Sequence, residues 1–457
     1  MRITILAIGT RGDVQPLVAL GTGLQETGRH EVCLAAPDDF KALACSQGLS
    51  FLPLDMSVHG MLDTQAMKAF VEPGGNIVLG LWRLLRMMRP TLDRLMEQAW
   101  SACREAEAIV FSTLGLGAYH IAEALGVPCY WAMPFPAFSR TRAFPSVAFP
   151  SLRWGGVYNL LTYVLIEQFL QQLTGRFFSR WRRERLNLPS LSLFKWPYSQ
   201  LHGRPVPMLY SFSPILFPKP PDWGESVHIT GYWFVNHPPG WGPPVALQRF
   251  LESGPPPVYV GFGSLPQRNP QQLTRIVVEA LRQAGQRGVI ATGWGGLSGR
   301  GLSHLPDDMF ALESIPHDWL FPRTAAVVHH GGSGTTGAGL RAGVPSVLVP
   351  HTGDQPLWAR RVAELGVGPR PIRRPQLTAE RLAAAVAHAV TDKKMRARAA
   401  TLGERIRAED GVARAIEIIE HPPLPATPAR RAAPRRRCMP GRGNRAESEV
   451  GRRQRSR

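Results

Sequence analysis

Residues 327–368, VVHHGGSGTTGAGLRAGVPSVLVPHTGDQPLWARRVAELGVG, decide how this chain folds. The stretch completes a short apolar run, Ala325–Val328, that suits a buried parallel strand. His329-His330-Gly331-Gly332-Ser333-Gly334-Thr335-Thr336 then places small residues and hydroxyls where a helix must begin. A helix start offers unpaired N–H groups and partial positive charge, which suit a phosphate. Glycines let the backbone come close to such a ligand, and Ser333, Thr335 and Thr336 can donate to its oxygens. Gly343 and Pro345 close the helix. A second strand, Ser346–Val349, leads to His351-Thr352-Gly353-Asp354-Gln355-Pro356, an acid and an amide placed to hold a sugar's hydroxyls. A glycine turn alone is equally an ordinary strand–helix connection, so the reading rests on the order of the whole stretch.

The same alternation recurs at the start of the chain. Arg2–Ile8 reads as a strand, Gly9–Pro16 as a loop and Val14–Gly28 as a helix with apolar residues near helical spacing. Glu31–Ala36 and Ser50–Leu54 are further strands around a helix, Asp39–Gln47. A βαβαβ opening implies a doubly wound sheet with its site at the carboxyl ends of the strands. Asp13 falls at such an end, where it can also serve as the N-cap of the following helix.

Composition fits a folded globular chain. It has 457 residues, 44% hydrophobic and 19% charged, which suggests two or three domains. Five scattered cysteines without metal spacing suit a reduced, cytoplasmic setting, and no apolar run is long enough to span a bilayer. Roughly half of the formal net charge of +19 lies in the arginine-rich segment 422–457, which reads as a disordered tail. No nucleic-acid partner is expected. The basic helix around Arg176–Arg185 is either a solvated face or a point of peripheral membrane contact.

Between these ends, Leu81–Ala106 reads as a long helix broken near Pro90. Gly117–Leu125 is another, with His120 facing either the core or a cleft. Met133–Pro150 and Leu152–Leu188 are rich in aromatics, suited to core or to the wall of an apolar pocket. The proline-rich stretch 237–257 reads as a linker. A second sheet starts at Pro257–Gly261, followed by Gly263 and Ser264 in a second candidate phosphate loop.

The order HHGGSGTT, AG-P, P-x-x-GDQ resembles the donor signature of nucleotide-sugar glycosyltransferases of the GT-B fold. Within the UDP-glycosyltransferase family, the sterol 3-beta-glucosyltransferase-like branch is the most similar. GTRGDVQP, YHIAE and VHITGYWF also match that branch, and the likeness covers residues 1–421. It implies an α/β fold of two Rossmann-like domains facing each other across a cleft. Residues 1–236 would bind the acceptor and 258–421 the nucleotide-sugar.

The resemblance also implies roles. Asp13 would be the catalytic base, beside Gly12. The nucleobase would lie against Pro316 and His317. Ser314 stands where relatives carry a stacking tryptophan, so Trp294 or Trp319 would have to replace it. Gly263, Ser264, Gly332, Ser333, Gly334 and Thr335 would hold the diphosphate, with His330 beside it. Asp354 and Gln355 would hold the sugar. No D-x-D occurs in the sequence, so no metal is expected, and no cofactor beyond the nucleotide-sugar co-substrate. The expected reaction is inverting transfer of a hexose, glucose from UDP-glucose, to a lipophilic alcohol such as a sterol. A macrolide, glycopeptide or polyphenol acceptor, a catalytically idle nucleotide-sugar-binding protein and a nucleotide-sugar epimerase are the alternatives.

Overall fold

A computed structural model describes residues 1–57, 60, 91–238, 240–263, 269–293, 297 and 305–421. Ser264, Trp294, the first part of the 81–106 helix and the 422–457 tail lie outside them. The first sheet contains β1 (Arg2–Leu6), β2 (Glu31–Pro37), β3 (Ser50–Leu54), β4 (Ala108–Phe111) and β5 (Cys129–Met133). A small antiparallel hairpin follows, β6 (Gln200–Leu201) with β7 (Arg204–Pro205). The sheet then continues with β8 (Met208–Tyr210) and β9 (Val227–Ile229). Its order is β3-β2-β1-β4-β5-β8-β9, and every neighbour pair is parallel. The second sheet contains β10 (Val258–Gly261), β11 (Gly288–Ala291), β12 (Met309–Leu312), β13 (Ala326–His329) and β14 (Ser346–Leu348). Its order is β12-β11-β10-β13-β14, again all parallel. Strands β4, β5, β10, β11 and β13 are buried along their whole length, which is why they read as unbroken apolar runs.

In each sheet the strand order reverses once, between β1 and β4 and between β10 and β13. A crevice opens at such a reversal, outside the carboxyl ends of the strands. The sequences that follow β1 and β13 are those singled out above.

Three boundaries differ from the sequence reading. Helix α1 spans Arg11–Glu26 and starts three residues earlier than its apolar periodicity suggests. Thr10 is its N-cap, and Asp13 occupies the third helical position. The Asp13 carboxylate accepts from the Thr10 backbone N–H at 2.9 Å and from the Thr10 hydroxyl at 3.1 Å. That is the acidic half of a capping box, so Asp13 is not itself the N-cap. The long aromatic segment forms one helix, α2 (Gly155–Arg185). The middle of the expected linker is helical as well, α3 (Val245–Glu252). Leu247 is fully buried with Tyr259, Val289 and Phe321, so α3 is part of the second lobe's core.

The lobes are joined by more than the chain between them. Helices α4 (Ser333–Ala342) and α5 (Gln355–Glu364) follow β13 and β14 of the second sheet. Trp358 of α5 is fully buried and packs edge-on against Phe212 of the first lobe, ring centroids 5.3 Å apart. The last described helix, α6 (Gly411–Glu420), crosses back onto the first lobe. Tyr130 donates to the Ile419 carbonyl at 3.0 Å, and His30 meets Glu420 at 2.8 Å. Where the chain passes α6 the backbones nearly touch. A Cβ on Gly411 would lie 2.6 Å from the carbonyl carbon of Gly231, which itself stands at φ +107°. Only glycine fits at both places.

Candidate active site

The crevice between the two sheets encloses about 1500 Å³. A pocket for one small ligand typically measures about 300–1,000 Å³, so this cleft has room for two. Among the described residues it gathers nearly every expected site residue. Gly12 and Asp13 come from the first lobe; Gly263, Pro316, His317, His330, Gly332, Ser333, Gly334, Thr335, Asp354 and Gln355 come from the second.

The first-lobe wall is built around Asp13. The loop after β1 is pinned to β4 by Ser112, which accepts from the Ile8 N–H at 2.8 Å and donates to the Ile8 carbonyl at 2.7 Å. Gly9 follows at φ +145°, and a Cβ there would lie 2.5 Å from Asp13 Oδ2. The carboxylate can fold back over this turn because position 9 has no side chain. Burial in the cleft raises the Asp13 pKa from 3.8 to about 6, against the lowering effect of the two Thr10 hydrogen bonds. Burial disfavours the charged form, and a carboxylate so raised is a stronger proton acceptor near neutral pH.

The second-lobe wall is built around His330. Its ring sits between two glycines. A Cβ on Gly332 would lie 2.6 Å from His330 Nε2, and one on Gly263, at φ +69°, 2.7 Å from Cε1. Burial lowers the His330 pKa to about 4, so the imidazole is neutral at physiological pH. Its Nδ1 is buried and has no hydrogen-bond partner among the described residues. The preceding His329 is fully buried, and its Nδ1 accepts from the Gly331 N–H at 3.1 Å, holding the turn. The first turn of α4 then opens onto the cleft at Gly334 and Thr335. Two hydroxyls of that turn are engaged elsewhere. Ser333 donates across the cleft to the Pro134 carbonyl at 2.7 Å. Thr336 is fully buried and donates to the Gly332 carbonyl at 2.9 Å. The Ser333 N–H is taken by the Asp354 carboxylate and its hydroxyl clasps the lobes, so the Gly334 and Thr335 N–H groups and the Thr335 hydroxyl are what this turn offers to the cleft.

Asp354 and Gln355 stand at the start of α5. Trp358 donates from its indole to Asp354 Oδ2 at 2.6 Å. The Gln355 carbonyl oxygen accepts from the His351 N–H at 2.8 Å, which shapes the loop and leaves the side-chain NH₂ for a ligand. The Asp354 pKa is also raised to about 6. Burial is the main cause, opposed by Trp358, and the charge of Asp13 raises it further. The two carboxylates thus sense each other across the cleft.

One expectation is corrected, for Trp319, and two open readings are resolved. His317 lines the cleft with Ile315 and Pro316, while its side chain stacks on Phe321 at 4.2 Å and meets the Tyr259 hydroxyl at 3.3 Å, which leaves the expected contact to the backbone of this stretch. Burial and then the charge of Arg11 lower its pKa to about 3. Trp319 does not line the cleft; it packs edge-on beneath Trp241 at 5.6 Å, with the Arg323 guanidinium 4.6 Å from its ring. Trp241 lines the cleft instead, flanked by His237. His120 lies in the core, fully buried against Tyr198 and Phe178, with Arg182 3.0 Å from its Nδ1. The sequence reading passed over Trp241, which sits in a proline- and glycine-rich run, and over Arg11, the cation beside Asp13 that also lines the cleft.

Two facing Rossmann-like lobes with a carboxylate on one wall and a glycine-rich helix start on the other define the GT-B glycosyltransferase class. Known proteins agree. Residues 3–145 match the glycosyltransferase family 28 N-terminal domain, and residues 289–420 match the erythromycin biosynthesis protein CIII-like C-terminal domain. These two matches support a GT-B protein of the UDP-glycosyltransferase family, and the curated proteins that the chain is similar to include sterol 3-beta-glucosyltransferases. It is 39% identical to that of Cryptococcus neoformans var. neoformans serotype D over 442 residues, which covers 92% of this chain and 27% of the relative. It is also 39% identical to that of Emericella nidulans over 429 residues, 92% of this chain and 30% of the relative. The chain thus spans less than a third of the length of these relatives. Among solved structures, the glycotransferase of kitacinnamycin superposes with a TM-score of 0.69 at 21% identity, covering 92% of this chain and 98% of that one. A Streptomyces sp. SF2575 glycosyltransferase, SsfS6, complexed with thymidine diphosphate, gives 0.60 at 20% identity, covering 92% and 99%.

Proposed function

We propose that this protein transfers a hexose from a nucleotide-sugar to the hydroxyl of a lipophilic acceptor, with glucose from UDP-glucose as donor and a sterol as acceptor. The carrying observation is the placement of Asp13, its pKa raised to about 6, in one cleft with the open first turn of α4 and with Asp354. The diphosphate would lie on the N–H groups of that turn and on Thr335, beside His330. Asp354 and the Gln355 amide would hold the sugar hydroxyls. Asp13 takes the proton of the acceptor hydroxyl as that oxygen attacks the anomeric carbon. The bond from the anomeric carbon to the diphosphate oxygen breaks, and the electron pair leaves with the nucleoside diphosphate. Attack from the face opposite the leaving group inverts the anomeric centre. The partial positive charge of α4 stabilises the departing anion, and one such preorganised donor contributes about 3 kcal/mol in comparable sites. The sequence offers no D-x-D pair, and in this reading the helix start does what a bridging cation would do.

The test is a mass-spectrometric assay with UDP-glucose and a pooled set of sterols, macrolides and flavonoids. A hexose mass shift on a sterol supports the reading. A shift only on another acceptor moves the protein to natural-product glycosylation. Donor consumed without acceptor points to epimerisation, and no reaction with any nucleotide-sugar points to an idle binder.

A further inference from the structure

Helix α2 presents apolar residues on two sides. One side is core: Tyr163, Phe178 and Trp181 are buried. The other side faces solvent, where Val157, Leu161 and Leu165 follow one another at i, i+4 spacing and are 75%, 52% and 48% exposed. Trp154 stands just before the helix and is 72% exposed. The same row continues through Gln168 and Gln172, and these two hold a loop over it. Gln168 donates to the Phe194 carbonyl at 2.8 Å and Gln172 to the Leu193 carbonyl at 2.7 Å. Phe194 is 79% exposed as a result. Most of the large exposed hydrophobic side chains among the described residues fall on this one surface. A soluble chain rarely gathers them without a partner.

The charge around the patch indicates that partner. The exposed cations Arg153, Arg176, Arg183 and Lys195 border it, with Glu184 as the exposed acid on the same helix. An apolar stripe with aromatic residues at its ends and a basic border is the pattern of a helix lying in a membrane interface, attracted by anionic headgroups. No helix among the described residues is long and apolar enough to cross a membrane. The start of the patch is tied to a helix that begins on the cleft wall. Ser151, three residues before Trp154, accepts from Arg360 of α5 at 3.1 Å, and α5 starts at Gln355 on the cleft wall.

We propose that the outer face of α2, with the Leu193–Phe194 loop, is a docking surface for an anionic phospholipid bilayer. Its use for loading a lipophilic acceptor into the cleft rests on the function proposed above; the surface itself does not.

The experiment compares the full chain with Val157→Asp/Leu161→Asp and with Trp154→Ala/Phe194→Ala. Each is sedimented with vesicles of phosphatidylcholine alone and with vesicles containing one part phosphatidylserine to three of phosphatidylcholine, at low and at high salt. The parent is expected to sediment with the phosphatidylserine vesicles, more weakly at high salt. Both variants should lose about tenfold or more of that partition. Their melting temperature and their turnover of an acceptor held in solution by cyclodextrin should match the parent. A parent that stays in the supernatant overturns the proposal, as does a variant that sediments like the parent. Variants that instead dissociate a dimer while still binding vesicles assign the face to a second copy and overturn it too. Vesicle binding by a chain that transfers no sugar upholds the surface and removes only the acceptor rationale.

Discussion

Replacing Asp13 by Asn is expected to stabilise the protein while it removes the base. The folded state holds this carboxyl at a pKa of about 6 in place of 3.8. At about 1.4 kcal/mol per tenfold change, this is about 3 kcal/mol of disfavoured charge. The folded pKa lies above the unfolded one, so the carboxyl carries no cost below the unfolded value. Stability is lost as pH rises through the folded value, and the full cost stands above it. Asparagine is neutral throughout and retains an oxygen that can accept from the Thr10 N–H. It lacks the charge that strengthens that bond, so the net gain is about 1–3 kcal/mol at pH 7.5. The charge of Asp13 also raises the pKa of Asp354, so its removal eases that group as well. Thermal melts of parent and variant at pH 4 and pH 7.5 read the effect directly. The variant should melt a few degrees above the parent at pH 7.5, on the order of 2 °C per kcal/mol for a domain of this size. The two should nearly coincide at pH 4. A variant that melts lower at pH 7.5, or higher by the same amount at both values, refutes the placement of a desolvated carboxylate in the cleft.

Three other outcomes follow from the same geometry. The kcat/KM of the parent should fall about tenfold per pH unit below pH 6 as Asp13 protonates; a limb at the ordinary aspartate value near pH 4 argues against it as the base. Gly332→Ala puts a methyl group 2.6 Å from His330 Nε2, so nucleotide-sugar affinity measured by calorimetry should drop at least tenfold, and unchanged affinity removes His330 from the donor site. Trp358→Phe keeps most of the buried ring but deletes the 2.6 Å donor to Asp354. It should raise the KM for the donor more than it lowers kcat, and a change confined to kcat contradicts a sugar-holding role for Asp354.

Much of the fold is legible in sequence because parallel strands buried on both faces are near-continuous apolar runs. RITIL, VYVG and AVVH announce themselves, and glycine marks the turns that follow them. Other features depend on partners distant in sequence. The start of α1 was hidden because Arg11, Gly12 and Asp13 carry no apolar periodicity; capping by Thr10 and the missing Gly9 side chain decide it. Helix α3 was hidden by its flanking prolines, although Leu247, Phe250 and Leu251 have helical spacing and pack on the second lobe. Motif order brought Asp13, His330, Asp354 and Gln355 to one cleft. It did not reveal that Ser333 reaches across to Pro134, a contact that exists only once the lobes meet, or that Trp241 covers Trp319, which depends on how the proline-rich stretch folds back onto the second lobe. His120 illustrates the converse. It lies in a family-like stretch, yet its helix turns it inward onto Tyr198 and Arg182.

The central claim is that Asp13 removes a proton from an acceptor held against a nucleotide-sugar in this cleft. Its most direct test is the rate of hexose transfer from UDP-glucose to a sterol by the parent and by Asp13→Asn, each first shown by its melt to be folded. The account predicts a glucosylated sterol from the parent and a loss of at least a hundredfold in the variant. Equal rates from the two proteins would contradict it.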